Sequence, residues 1–135
     1  MREIVEFDFV HEYSLYEIGI VVDVILTTAD KEIRINARVD TGSTYCLFER
    51  RFGEELGLVV EIGFPVQIGT ATGSFRAYGH EIEVDVLGVR LHSTVYFAES
   101  EQFDRNVLGR SGWLNKVKLG LIEPEGKLYL SRYEK

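Results

Sequence analysis

An alternating segment, residues 32–39, limits the fold of this 135-residue chain more than any other feature. Apolar side chains occupy every second position of it: Ile33, Ile35, Ala37 and Val39. Because successive side chains of a β-strand point to opposite faces, this pattern predicts a strand with one buried face. The strand ends at Asp40, and residues 81–86 repeat the same alternation.

The remaining pattern predicts further short strands separated by turns. In chain order they are residues 17–26, a hairpin over 64–86 with its tip at 69–73, residues 89–97, residues 107–109, and a terminal hairpin over 122–130. Apolar residues at every fourth position predict a short helix over 48–56, and residues 111–117 are a candidate second helix. We therefore expect a single all-β domain, residues 1–135, closed like a barrel and carrying one or two short helices.

Charge and composition argue against several classes of partner. Twenty-two acidic against 15 basic residues give a net charge of −7, which repels nucleic-acid phosphates and anionic lipid. No apolar run approaches membrane-spanning length, and residues 1–10 lack the apolar core of a signal peptide. Cys46 is the only cysteine, so no disulfide framework is expected. These features predict a soluble, cytoplasmic protein without nucleic-acid or membrane partners and without metal or cofactor.

The tetrapeptide Asp40-Thr41-Gly42-Ser43 is the candidate for chemistry. Alone it is a weak signal, because Asp and Gly favour turns, Thr favours strands, and a plain strand-to-turn junction would explain it. Its context strengthens it in three ways. The alternating strand precedes it, a glycine-tipped hairpin follows, and residues 106–110 place two apolar residues before Gly109 and Arg110.

In the order of these elements the chain resembles the retroviral-type aspartic proteases, particularly their single-domain microbial relatives. The resemblance runs from residue 17 to the carboxyl terminus and rests on the motifs at Asp40 and Gly109. It implies a homodimer in which each subunit supplies one catalytic aspartate, here Asp40. It also implies that the dimer hydrolyses peptide bonds of an extended peptide or protein substrate.

The resemblance further implies roles for the neighbours of Asp40. Thr41 would hydrogen-bond across the two-fold axis, Gly42 would let the backbone approach the carboxylates, and Ser43 would hydrogen-bond near the outer carboxylate oxygen. Three residues would pack behind this catalytic loop: Val107, Leu108 and Gly109. The flap that closes over substrate would be the hairpin tip: Gly69, Thr70, Ala71, Thr72 and Gly73.

Elementary chemistry leads separately to the same dimer. Aspartic proteolysis needs two neighbouring carboxylates, one ionised to activate water and one protonated to polarise the scissile carbonyl. Repulsion between like charges separates the two apparent pKa values and maintains that mixed state. The other aspartates lack a following Thr-Gly or Ser-Gly: Asp8, Asp23, Asp30, Asp85 and Asp104. A two-fold dimer would bring Asp40 against Asp40 of the partner subunit.

Some features leave alternatives open. Ser111 and Thr44 stand where relatives carry other polar or acidic residues, so the partner of Arg110 is not assigned. Residues 1–16 are either an N-terminal extension or a strand of the dimer interface. The chain could also be a protease-like dimerisation or peptide-binding module with weak or no turnover.

Other chemistries fit less well. Residues 39–44 also resemble the first phosphate loop of actin-like ATPases, which need a far longer, duplicated chain. Cys46 is interpreted as a small packing residue rather than a nucleophile. Three histidines show no metal-ligand spacing: His11, His80 and His92. His80 and His92 lie on predicted strands and are expected to be surface or interstrand residues.

Overall fold

The computed structural model describes residues 1–134 and shows a mostly β domain with one short α-helix, α1 (Arg50–Glu55). The strands are β1 (Phe9–Glu12), β2 (Ile20–Thr27), β3 (Glu32–Val39), β4 (Leu47–Phe48), β5 (Phe64–Thr70), β6 (Gly73–Val86), β7 (Val89–Ala98), β8 (Val107–Leu108), β9 (Val117–Ile122) and β10 (Lys127–Arg132). No helix in the described residues is long and apolar enough to cross a membrane. The prediction of a single, mostly β domain is confirmed.

Seven of these strands form one sheet whose pairings close on themselves. β3 pairs antiparallel with β2 on one side and parallel with β8 on the other. The order then continues through β4, β7 and β6. Because β6 also pairs with β2, with Val84 opposite Leu26, six strands form a ring and β5 is attached to β6 outside it. The position of β8 between β3 and β4 brings residues 107–109 beside Asp40.

The hydrophobic core follows the alternation of the strands. Val22 and Val24 of β2 are buried opposite Ala37 and Ile35 of β3, and all four join one core cluster. Directly opposed residues of an antiparallel pair share a face, so the alternation places both sets of side chains on the same inner surface. Each fully buried valine or isoleucine side chain stabilises the fold by about 1.5–3 kcal/mol.

The chain termini form a second, three-stranded antiparallel sheet in the order β1-β10-β9. Tyr13, just after β1, donates its backbone N–H to the Gly126 carbonyl at 2.8 Å and its hydroxyl to Glu123 at 2.6 Å. Residues 9–12 thus pair with the carboxyl-terminal strand of their own chain. The segment 1–16 therefore adds a strand to its own domain, and a role at a dimer interface stays a prediction.

The first helix is shorter than the predicted 48–56. Phe48 lies in β4, where it is fully buried and stacks near Phe97 of β7 at a ring-centroid distance of 6.1 Å. Burial of this ring in the sheet overrides the four-residue apolar spacing that suggested a helix beginning there. Gly57, with φ 81°, lies just beyond the helix, as predicted.

The second predicted helix, residues 111–117, is wrong. Only a 3₁₀ turn, Leu114–Lys116, forms there, and β9 starts at Val117 rather than at residue 122. Gly112 has φ 103°, which no right-handed helix can include. The amide of Leu114 consequently bonds to the Gly109 carbonyl at 3.0 Å, one residue beyond the α-helical partner.

Candidate active site

Asp40 lies directly after β3, and its backbone is fixed by β8. The Asp40 N–H donates to the Leu108 carbonyl at 3.0 Å, which extends the parallel pairing of Val39 with Leu108. Two residues earlier on each strand, the Arg38 N–H donates to the Asn106 carbonyl at 2.9 Å. The end of β3 is therefore hydrogen-bonded to β8 up to the residue that carries the carboxylate.

The Asp40 carboxylate is exposed on the single chain and is oriented by its own loop. The Gly42 N–H donates to Oδ1 of Asp40 at 2.8 Å, and the Ser43 N–H donates to the Asp40 carbonyl at 3.2 Å. A Cβ at position 42 would lie 3.2 Å from that Oδ1. Glycine thus lets the amide approach the carboxylate, and the hydrogen bond orients the carboxylate within its loop.

Gly109 closes the loop from behind and has no room for a side chain. A Cβ there would overlap the Tyr45 carbonyl and lie 2.8 Å from the Ser43 carbonyl oxygen. The next two amides also bond to this loop: Arg110 N–H donates to the Ser43 carbonyl and Ser111 N–H to the Thr44 carbonyl, both at 2.8 Å. Residues 107–111 therefore pack and hydrogen-bond against the segment that follows Asp40.

A sequence model of the family described as aspartyl protease matches residues 24–123, which include both Asp40 and Gly109. The chain belongs to the aspartyl protease family. The search of curated proteins found no match. The predicted relation to aspartic proteases is confirmed at the level of this family.

Other polar residues of the aspartyl protease loop differ in placement. The Ser43 hydroxyl donates to the Tyr45 carbonyl at 2.7 Å, and the hydrogen bond near the outer carboxylate oxygen that the resemblance implies stays a prediction. This hydrogen bond tightens the turn that leads towards β4. Thr41 and Thr44 are exposed, as Asp40 is.

Cys46 is a structural residue at the base of this loop. Its side chain is fully buried, its Sγ accepts the Gly109 N–H at 3.4 Å, and it lies 3.6 Å from the Ser111 carbonyl oxygen. Burial raises the pKa of the thiol from 9.0 to about 11, against smaller lowering effects of the Gly109 hydrogen bond and Lys116. A thiol that is protonated at neutral pH is a poor nucleophile, which agrees with the packing role predicted for it.

Asn106 lies directly before β8, and Arg110 lies two residues after its end. The Arg110 guanidinium has no carboxylate within 4.0 Å among residues 1–134, although its backbone is bonded to the loop. Asn106 exchanges two hydrogen bonds with Glu49: its Oδ1 accepts the Glu49 N–H at 3.1 Å and its Nδ2 donates to Oε2 at 2.8 Å. No sequence pattern predicts this link, because Glu49 and Asn106 are distant in the chain.

The predicted flap is the exposed end of the hairpin formed by β5 and β6. Thr70 is paired with Gly73, and its hydroxyl donates to the Gly73 carbonyl at 3.0 Å, which leaves Ala71 and Thr72 as a two-residue turn. Gly73 has φ 149°, a conformation that favours glycine. All five residues of the tip are exposed, so the single chain leaves this element uncovered.

A groove of about 640 Å³ borders Asp40 and adds residues that the sequence did not single out. Arg38 lines it from β3, and Asp104, Arg105 and Asn106 line it from the segment before β8. The sequence pattern could have predicted Arg38 as a neighbour of Asp40, because Arg38 lies two residues before it on the polar side of the alternating strand. Asp104 and Arg105 join the groove only through the insertion of β8 beside β3.

The histidines take part in local hydrogen bonds. His11 Nε2 lies 3.1 Å from the Val21 carbonyl oxygen, and His80 Nε2 lies 2.9 Å from the Val60 carbonyl oxygen. His92 lies within β7. Among residues 1–134 no three His, Cys, Asp or Glu side chains are grouped so that they could hold a metal ion.

Proposed function

We propose that this protein is a retroviral-type aspartic endopeptidase that works as a symmetric homodimer. The observation that carries the proposal is Asp40: an exposed carboxylate held by the Gly42 amide, directly after a strand whose pairing partner leads into Gly109. Membership of the aspartyl protease family, over residues 24–123, supports the same chemistry. Within this class we propose the microbial single-domain branch, which the order of the elements resembles.

The proposed reaction uses one Asp40 from each subunit. The ionised carboxylate takes a proton from a water molecule placed between the two aspartates, while the protonated one donates a hydrogen bond to the scissile carbonyl oxygen. Attack of the water oxygen gives a tetrahedral diol, and protonation of the leaving nitrogen breaks the C–N bond. Repulsion between the two carboxylates keeps one proton shared between them.

The substrate in this proposal is an extended segment of polypeptide. Such a segment can be held by backbone hydrogen bonds as an added strand, which suits any sequence without folded structure. The hairpin tip, residues 69–73, would serve as the flap over it, because its two-residue turn is exposed and anchored only at its base. The cytoplasm remains the proposed compartment, which is compatible with a chain whose single cysteine is buried and has no second cysteine to pair with.

The decisive test replaces Asp40 with Asn. We expect peptide cleavage to fall by about 10³-fold or more, because the variant cannot provide the general base. Folding and dimerisation should persist, since the Asn Oδ1 can still accept the Gly42 N–H. Asp30→Asn, in an exposed turn, is the matched control and should keep full activity. Cleavage of a denatured protein mixture is measured from acidic to neutral pH by counting new amino termini, with sedimentation to measure the dimer.

Three results would contradict the proposal. Cleavage retained by Asp40→Asn would exclude this mechanism. A strictly monomeric species with full activity would exclude a site shared between subunits. Peptide binding without any new termini over the whole pH range would instead favour the protease-like binding module.

A further inference from the structure

The groove beside Asp40 carries a positioned arginine, Arg38. Gly19, directly before β2, has φ 82°, and a Cβ on it would lie 3.2 Å from Cδ of Arg38 and 3.7 Å from Nε. The stem of Arg38 therefore lies close to the bare backbone of Gly19, whose φ value favours glycine. The Arg38 side chain lines the groove, and Arg38 stands two residues before Asp40 in the chain.

A second cation, Arg105, lines the same groove from the segment before β8. Neither arginine has a carboxylate within 4.0 Å among residues 1–134. Arg50 shows the contrast, because it is bonded to both Glu54 and Glu61.

Two carboxylates also border the groove, and they act differently. Asp40 belongs to the proposed catalytic pair and already accepts the Gly42 amide. Asp104 is exposed and makes no ion pair within 4.0 Å in the described residues, so it weakens the positive potential without neutralising either arginine directly. The guanidinium groups thus remain available as hydrogen-bond donors to an anion.

We propose that this groove binds an acidic side chain of the substrate close to the cleaved bond, with Arg38 as the main cation and Arg105 as the second. The inference rests on the proposed peptidase function and specifies its substrate: extended polypeptide with Glu or Asp near the cleavage site. An arginine can donate two parallel hydrogen bonds to a carboxylate, whereas a neutral amide accepts fewer and gains no charge attraction. In a symmetric dimer the groove occurs twice, so the acidic preference applies on both sides of the cleaved bond.

The test uses decapeptide pools that are randomised except for one position, which is fixed as Glu in one pool and as Gln in its pair. For the wild-type dimer we expect kcat/KM to be about tenfold higher for Glu at the positions flanking the cleaved bond. Arg38→Leu should reduce this ratio to about one, whereas Arg34→Leu should leave it unchanged. Arg34 is the matched control because it lies on the same face of β3, is also exposed, and does not line the groove. Asp104→Asn should raise the ratio, because it removes a like charge.

The outcomes separate this inference from the proposed function. Cleavage with equal rates for the Glu and Gln pools, or with a Glu preference that Arg38→Leu leaves intact, overturns the acidic groove and leaves the peptidase standing. If no pool is cleaved, binding of the same pools to the wild-type protein is measured by fluorescence polarisation. Tighter binding of Glu pools that depends on Arg38 then supports the groove while overturning the peptidase, and equal binding overturns both.

Discussion

The base of the site and the tip of the hairpin both depend on glycine, but for opposite reasons. The site base consists of Ser43, Tyr45, Cys46 and Gly109, where a Cβ on the glycine would overlap the Tyr45 carbonyl. At the hairpin tip, residues 69–73, a Cβ on Gly69 or on Gly73 would meet nothing within 4 Å. Glycine is required at the base by close packing, whereas at the tip it provides backbone freedom.

This contrast indicates that the site base and the hairpin tip have different roles in the proposed catalyst. Hydrogen bonds from three consecutive residues, Gly109 to Ser111, fix the loop that carries Asp40. Such a loop can hold a carboxylate in place without reorganisation during the reaction. At the tip, the pairing of Thr70 with Gly73 joins the two sides of the turn. Such a turn can move as one unit, which suits an element that opens and closes over substrate.

The largest effect is expected for Gly109→Ala at the site base. The added methyl group has no space, because the neighbouring atoms are backbone carbonyls of Tyr45 and Ser43 that cannot rotate away. We expect the free energy of unfolding to fall by about 3 kcal/mol or more, measured by urea denaturation. A fall of less than about 1 kcal/mol would show that the base can rearrange, and the comparison with the tip would then fail.

A pH-dependent effect of intermediate size is expected from Cys46. The folded-state pKa of about 11 exceeds the ordinary value of 9.0, so the unfolded chain ionises first as pH rises. The contribution of the protonated thiol is complete below pH 9 and is lost as pH rises towards 11, by up to about 3 kcal/mol. The free energy of unfolding should therefore decline more steeply over this window for the wild type than for Cys46→Ala.

The Cys46→Ala variant also allows a separate measurement of the free energy of unfolding at neutral pH. Removal of the sulfur leaves the Gly109 N–H without this acceptor, so we expect a loss of about 1–2 kcal/mol at pH 7. Parallel pH profiles for the two proteins between pH 9 and 11 would contradict a buried thiol at the site base.

The smallest effect is expected for Gly69→Ala at the hairpin tip. Its φ lies outside the left-handed region and a Cβ would be in open space, so stability should stay equal or rise by about 0.4–1 kcal/mol. Gly73→Ala is the sharper control, since φ 149° strains any L side chain and should lower stability by about 1 kcal/mol. A large loss for Gly69→Ala, measured by thermal unfolding, would mean that the tip packs against something.

Much of the strand pattern could be predicted from the sequence, and the failures have a common cause. The alternation over residues 32–39 predicted β3 and its buried face, and the glycine-tipped hairpin lies close to where it was expected. Phe48 and residues 111–117 were misassigned because tertiary contacts decided them: burial of Phe48 against Phe97, and the positive φ of Gly112. Local spacing contains no information about such partners.

The sequence by itself determined the chemical identity of the site, because Asp40, Gly42 and Gly109 are recognisable by residue type and by their order along the strands. Tertiary structure alone decided what surrounds Asp40. The parallel pairing of β3 with β8 joins residues far apart in the chain, and this pairing brings Arg105 and Asp104 to the groove of Arg38. Side chains that approach each other through a non-local pairing leave no periodic signal in the sequence. Which charged groups become neighbours is therefore decided only when the sheet closes.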